Sequence, residues 1–207
     1  MKKYLLFSLG IILVAMGIAL NIKSTLGSSP IDTLVFNLAS VSHMDSSISM
    51  IIVNCAMILL YFILSPNRKV IFLIIAALLL SLFLHIFQSY VFLFATNNII
   101  YQILIFILAI NLISLGVALE IKSNVSTTAL EGIILFINDK LPKLSFGLIR
   151  TIVELIIIII SATISLIFNH NLGEVGIATM IMLLTCGFLT DFYLYLLKVR
   201  KNEKIID

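Results

Sequence analysis

The sequence predicts an all-α integral membrane protein with six transmembrane helices, arranged as two inverted repeats of three helices that each carry an extra short helix. Three observations predict this fold. Hydrophobic residues make up 61% of the 207 residues and charged residues only 11%, whereas soluble domains are about 45–50% apolar and about 25% charged. Six segments are long and apolar enough to cross a bilayer. Two polar intervals between them resemble each other in sequence.

The composition excludes several classes of protein. With a mean hydropathy of +1.22, a chain of this length could not bury its apolar surface in one core, so the lipid bilayer is its predicted partner. Soluble enzymes, nucleic-acid binders and disordered scaffolds are excluded together. The net charge of +3 is too small to indicate a polyanionic partner, and we expect no nucleic acid.

The six predicted spans follow from the length rule that a membrane helix needs about 20 mostly apolar residues. They are residues 4–23, 47–65, 70–94, 99–121, 147–168 and 175–197. The first apolar run is longer than a signal-peptide core, so we interpret it as a retained helix. No soluble domain fits in the loops, so residues 1–207 form a single membrane domain. Cys55 and Cys186 fall inside apolar stretches and are interpreted as small core residues.

The distribution of Lys and Arg predicts the orientation of the chain. With the N-terminus in the cytoplasm, the outer side holds only Lys23, and Arg150 lies just inside the fifth span. The cytoplasmic side then holds eleven basic residues: Lys2, Lys3, Arg68, Lys69, Lys122, Lys140, Lys143, Lys198, Arg200, Lys201 and Lys204. Both termini are therefore predicted to be cytoplasmic.

An internal repeat relates the two halves, about 4–95 and 99–197. Residues 17–34 align without gaps on residues 116–133, with six of eighteen positions identical, including a shared Lys-Ser pair. With gaps, Asn54 aligns with Glu154 and His85 with Asp191. Each half contains three spans, so the second half enters the membrane inverted relative to the first, as in many secondary transporters.

Each polar interval contains a predicted short helix. In the first, Ser29 is the N-cap, Pro30 the first helical residue and Asp32 the capping acid. In the second, Thr128 and Glu131 take the N-cap and capping-acid positions. A helix of about 12 residues is too short to span the bilayer. It is either re-entrant or lies flat at the interface.

These residues resemble a known family. The pattern of Gly, Ala, Leu, Lys, Pro and Asp over residues 17–34, together with Asp191 near the end of the last helix, is similar to YczE/YitT-type bacterial membrane proteins. That resemblance implies a six-helix protein of the bacterial inner membrane, in a group labelled uncharacterised or presumed to be involved in transport. The second copy departs from the pattern, with Ser126 and Ala129 in place of Gly and Pro.

The candidate binding site consists of polar residues around the two short helices. Lys23 and Lys122 precede those helices at matched positions, and a lysine beside a helix N-terminus can bind an anion; alternatively, each lysine extends to the lipid headgroups. Asp32 and Glu131 either pair with these lysines or serve only as capping acids. The remaining candidates are the neighbouring hydroxyl residues Ser28, Ser29, Thr127 and Thr128.

Polar residues within the spans are functional candidates because burying an ionisable group in lipid is costly. Arg150 and Glu154 are spaced to form an ion pair along one helix, either purely structural or with Glu154 carrying protons. Asn54, the counterpart of Glu154, cannot titrate. His85 with Asp191 could relay protons, but no metal site is expected. Glu120, near a helix end, is interpreted as an interface anchor.

We expect a small secondary transporter or permease of a small solute, with an anion as the candidate, working by alternating access. No Walker-type motif is present, so we expect no nucleotide and no other cofactor, and an ion gradient as the energy source. The alternatives are the substrate-binding membrane subunit of a multi-component importer and a non-transporting regulatory membrane protein. An enzyme is not expected, and a homo-oligomer is allowed.

Overall fold

The computed structural model describes residues 2–65, 70–91 and 98–199. These residues form eight α-helices and no strand. The helices are α1 (Lys2–Ser24), α2 (Pro30–Ser42), α3 (Ser46–Leu64), α4 (Val70–Val91), α5 (Ile99–Ser123), α6 (Ala129–Lys140), α7 (Phe146–Asn169) and α8 (Ile177–Leu196). Each predicted span and each predicted short helix coincides with one of them. Part of the third predicted span, residues 92–94, lies outside the described residues.

Five helices are long and apolar enough to cross a membrane, namely α1, α4, α5, α7 and α8. The apolar part of α3, Ile48–Leu64, is shorter. Large apolar side chains point away from the protein along these helices; Phe188, for example, is 73% exposed and Ile63 67% exposed. Such surfaces are typical of helices in contact with lipid, so the chain has the features of a multi-pass membrane protein.

Helices α1 and α5 cross closely at the centre of the structure because small residues lie where they meet. A Cβ atom added to Gly10 would lie 2.9 Å from the carbonyl oxygen of Gly116, and one added to Gly17 would lie 2.9 Å from that of Ala109. Small residues at such positions let two backbones approach in a membrane. The two repeats are aligned with a shift of 99 positions, which places residue 10 on residue 109 and residue 17 on residue 116. The two contacts are therefore equivalent.

The remaining helix contacts also occur in matched pairs. Helix α1 packs on α4 as α5 packs on α8, and α2 packs on α7 as α6 packs on α3. Contacts of α2 with α3 and of α3 with α4 are matched by contacts of α6 with α7 and of α7 with α8. An additional contact joins α2 to α8. The two halves therefore interlock, because each short helix packs on a long helix of the other half.

Helices α1 and α5 end in the same way. The Ser24 hydroxyl donates to the carbonyl three residues earlier at 2.7 Å and accepts from the N–H two residues later at 3.4 Å. For Ser123 the corresponding distances are 2.6 and 3.2 Å. The next residues, Thr25 and Asn124, have left-handed φ angles of 55° and 51°. Equivalent sequence thus gives equivalent local structure before each short helix.

The two short helices differ in how much of their surface is buried. On α2 the polar residues Thr33 and Asn37 are almost fully buried, whereas the apolar residue Leu34 is half-buried. The Asn37 amide donates to the Ser161 hydroxyl at 2.9 Å and accepts from the Glu174 N–H at 2.8 Å. On α6 every residue from 129 to 135 is buried. Helix α2 therefore presents its polar side to the rest of the protein.

Candidate functional site

One cavity of about 120 Å³ lies between the N-termini of α2 and α6. Apolar side chains from α1, α3 and α4 form much of its wall. Its polar lining residues are Ser29, Asp32, Asn54, Ser81, Thr128, Glu131, Arg150 and Glu154. The cavity exceeds the roughly 10–15 Å³ that one water needs, so it can hold a small molecule together with water.

The N-terminus of α2 is capped as its sequence predicts. Ser29 is the N-cap and Pro30 the first helical residue. The Ser29 hydroxyl donates to Oδ2 of Asp32 at 2.6 Å and accepts from the Asp32 N–H at 3.3 Å. Asp32 lies outside the spanning helices, where burial raises the pKa of its carboxyl and the hydrogen bonds from Ser29 lower it. This acid is therefore engaged within its own helix.

The N-terminus of α6 is built differently. Thr128 occupies the predicted N-cap position, but its side chain makes no cap hydrogen bond to the described first turn. Glu131 turns instead towards α7, where its Oε1 lies 3.9 Å from Nη2 of Arg150. Burial raises the pKa of Glu131, and the Arg150 guanidinium lowers it. The second capping acid thus belongs to an ion-pair network rather than to a local capping box.

The predicted pair on α7 is confirmed. Nε of Arg150 donates to Oε1 of Glu154 at 2.8 Å, and both side chains are almost completely buried. Three atoms of this network have no hydrogen-bond partner among the described residues: Nη1 of Arg150 and the Oε2 atoms of Glu131 and Glu154. Because buried polar atoms are nearly always satisfied, these atoms mark the end of the cavity at which a ligand or water would bind.

The two candidate lysines lie elsewhere. Lys23 is half-buried and Lys122 is exposed, and neither lines this cavity. Of their neighbouring hydroxyl residues, Thr127 is buried and uses its hydroxyl to donate to the Thr128 carbonyl at 3.2 Å. Ser28 is bound through its carbonyl, which accepts from Thr179 of α8 at 3.0 Å. The structure therefore joins the candidate acids to Arg150 within one cavity that the lysines do not line.

The other polar candidates are separated from one another. Asn54 lines the cavity alongside Glu154, its aligned counterpart. His85 is exposed and lines a second groove with Asp32, whereas Asp191 accepts a hydrogen bond from the Gly147 N–H at 2.9 Å. The described residues contain no group of three His, Cys, Asp or Glu side chains that could hold a metal ion.

Two sequence interpretations are wrong. Glu120 is not an interface anchor: it is fully buried, and neither carboxylate oxygen has a hydrogen-bond partner among the described residues. Its aligned counterpart Asn21 is also buried, with both amide atoms unpartnered in the same part of the chain. Because the repeat alignment places Asn21 on Glu120, the sequence could have indicated that both residues are buried polar groups. Cys55 is exposed on α3 rather than in a core, while Cys186 is buried as expected.

Comparisons with other proteins extend over nearly the whole chain. The model of a family of unknown function, DUF6198, matches residues 1–195. The uncharacterised protein YyaS of Bacillus subtilis (strain 168) is 24% identical over 196 residues, which cover 93% of this chain and 92% of that relative. No solved structure matches the chain. Because these names carry no activity, a function must be argued from the cavity itself.

Proposed function

The chain belongs to the DUF6198 family of unknown function, and we propose that it is a small secondary transporter or permease. It moves a small solute across the bacterial cell membrane by alternating access between two inverted repeats. One observation carries the proposal: the N-termini of both short helices line a single interior cavity with a buried Arg–Glu pair. Broken or short helices that meet at a repeat interface are the usual binding site of such transporters.

The inverted arrangement is part of the proposal. We assign six spans, with α3 as the shortest, and place α2 and α6 as re-entrant helices entering from opposite sides. The matched helix contacts support this arrangement. So does the burial of α6 over residues 129–135, because a helix lying flat at the interface would leave one side open. Re-entrant backbone is tolerated where protein or a cavity covers it.

The polar end of the cavity sets the chemistry of the solute. Nη1 of Arg150 is a buried donor without a partner among the described residues, so it can receive an anionic group. The apolar wall, which includes Ile18, Val35 and Met50, can receive a short carbon skeleton. Asp32, Glu131 and Glu154 also line the cavity and oppose a second negative charge. An anionic solute would therefore have to enter together with a proton or another cation.

Two alternative functions make different predictions. A non-transporting regulatory protein would have a tightly packed interior with paired polar groups, and the cavity with its unpartnered atoms favours transport instead. A substrate-binding subunit of a multi-component importer would copurify with an ATPase and a coupling protein. We also propose a relationship to YczE/YitT-type membrane proteins, supported by the pattern over residues 17–34.

The experiment is uptake of a mass-resolved metabolite mixture into proteoliposomes containing the full chain. We expect at least one small solute to accumulate, and the double variant Arg150→Met with Glu154→Leu to abolish its uptake. The double variant removes the closely paired charges of Arg150 and Glu154 together, so that only Glu131, whose contact with Arg150 is longer at 3.9 Å, loses its cation. Lys122→Ala, at an exposed position outside the cavity, is the matched control and should retain uptake.

Three results would contradict the proposal or its binding site. Absence of any protein-dependent uptake across the mixture, from either side of the bilayer, would argue against a transporter. Undiminished uptake by the double variant would place the binding site away from the Arg150 cavity. Loss of uptake in Lys122→Ala alone would favour the lysine-based anion site.

A further inference from the structure

A second, smaller cavity lies where α5 ends and the connection to α6 begins. Its volume is about 50 Å³, and Glu120, Tyr61, Leu73 and Leu135 are among the residues that line it. Glu120 has no exposed surface. It lies on α5, one helical turn before the left-handed residue Asn124 that lines the same cavity. This cavity is distinct from the one that contains the Arg150–Glu154 pair.

The carboxyl of Glu120 is poorly satisfied. Neither oxygen has a hydrogen-bond partner among the described side chains and backbone groups, although the Thr128 N–H lies close enough to act on the carboxyl. An ionised carboxylate buried without partners is unfavourable by many kcal/mol, so such a group neutralises itself. Its burial therefore favours a state in which Glu120 binds a proton or a cation.

The walls of the cavity favour a proton. Tyr61, Leu73 and Leu135 present mostly carbon to it, whereas a hard metal cation requires several oxygen ligands. The nearby hydroxyls of Ser126 and Thr127 donate to backbone carbonyls, each at 3.2 Å, so their protons are not available to stabilise an ionised Glu120. A neutral carboxylic acid needs no such ligand shell.

The surroundings also allow proton exchange and communication with the larger cavity. Asn124 is exposed and lines the Glu120 cavity, which gives water a route towards the carboxyl. Gly10 makes room for the side chain, since a Cβ atom there would lie 2.7 Å from Cγ of Glu120. Glu131 and Arg150, which both line the larger cavity, interact electrostatically with Glu120. A change of charge at Glu120 therefore changes the electrostatic potential at the polar end of the larger cavity.

We propose that Glu120 is a proton-binding site, loaded through its own cavity from the aqueous phase at the C-terminal end of α5. The carboxylate takes a proton from water when this cavity is open, and returns it when the helices around it rearrange. The coupling of this proton to solute movement rests on the transport function proposed above; the binding of the proton does not.

The experiment is infrared difference spectroscopy of the purified full-length protein in detergent, recorded between low and high pH. We expect the C=O stretch of a protonated carboxyl to disappear as the pH is raised. That band should be missing in Glu120→Gln and displaced in Glu120→Asp, which keeps a carboxyl. Glu174→Gln, at an exposed acid in the loop before α8, is the matched control and should retain the band.

Three results would overturn the proposal. A band unchanged in Glu120→Gln would assign the proton to another acid. A spectrum with no protonated-carboxyl band left above the pH at which exposed acids ionise would mean that Glu120 is itself ionised there. Loss of the band on adding NaCl at constant pH would identify a metal cation as the occupant. Since the measurement needs no solute, a positive infrared result without any transport would remove only the transporter proposal.

Discussion

At the scale of single residues, Arg150 is the group on which the larger cavity depends. It is the positive charge shared by Glu154, at 2.8 Å, and Glu131, at 3.9 Å, and all three side chains are almost fully buried. A buried ion pair contributes little net stability compared with a well-packed apolar substitute, but breaking it leaves a charge without compensation. The network is thus more sensitive to the loss of one member than to the loss of a pair.

This asymmetry gives a prediction for stability. Arg150→Met alone should lower the free energy of unfolding by about 3–5 kcal/mol, because Glu154 and Glu131 would remain buried without their cation. The double variant with Glu154→Leu should recover much of that loss. The measurement is denaturant-induced unfolding in detergent, with Lys122→Ala as the control. Equal destabilisation by the single and double variants would contradict the network described here.

At the scale of helices, sequence reasoning succeeded where a property is summed over many residues. Hydropathy averaged over about 20 positions located the long helices, since only helices and closed barrels satisfy their backbone in lipid. Local chemistry located the start of α2, where Ser29 and Pro30 have their predicted roles. Neither kind of information says which helices meet. The burial of Glu120 depends on the crossing of α1 and α5, so the sequence assigned it to an interface.

The sequence also does not determine the direction of a side chain, which is why the two candidate lysines lie outside the cavity. Their positions in the sequence predict Lys23 and Lys122 beside helix N-termini, but a single turn or loop residue changes the direction in which a side chain points. The left-handed residues Thr25 and Asn124, with φ of 55° and 51°, redirect the chain two residues after each lysine. Helix geometry brings the acid at the third position of each short helix, Asp32 or Glu131, to the cavity wall instead.

The close crossing of α1 and α5 gives a prediction at this scale. In Gly116→Ala the new Cβ would lie 2.7 Å from the carbonyl oxygen of Gly10, so the helices must separate, and overpacking of this kind costs about 1–3 kcal/mol. Gly17→Ala, at the equivalent contact, should be destabilising to a similar extent. Gly176→Ala has nothing within 4 Å of the new atom and is the control.

Thermal unfolding in detergent would measure all three glycine variants. The prediction concerns their ranking, with both crossing variants less stable than the control. A Gly116→Ala protein as stable as Gly176→Ala would mean that α1 and α5 are not held at this distance.

At the scale of the whole molecule, the two halves of the sequence do not simply lie side by side. Elements of each half pack on elements of the other. The Asn37 amide of α2 reaches α7 and the following loop, and Thr179 of α8 reaches the connection before α2. Rearrangement of one half must therefore carry a short helix of the other with it. If the chain is the transporter proposed above, such an arrangement would couple opening on one side of the membrane to closing on the other.

The orientation of the molecule gives the final prediction. With eleven basic residues on one side and one on the other, we predict that the N-terminus, the C-terminus and the α6–α7 connection lie in the cytoplasm. Five of the eleven, Arg68, Lys69, Arg200, Lys201 and Lys204, lie outside the described residues, so the prediction rests on the sequence. The loop between α7 and α8 should then face outwards, on the opposite side from the α6–α7 connection.

Single cysteines test this in intact cells, in a background in which the exposed native Cys55 is replaced by serine. Leu172→Cys, in the loop between α7 and α8, should react with a membrane-impermeant maleimide added outside. Lys143→Cys, in the α6–α7 connection, should react only after the cells are opened; both positions are exposed, so a difference in labelling reports sidedness rather than burial. Labelling of Lys143→Cys from outside would mean that the orientation is the reverse of the predicted one. The mouth of the Glu120 cavity would then lie at the outer face. Labelling of both from outside would mean that α7 does not cross the bilayer, which would rule out the six-span inverted repeat.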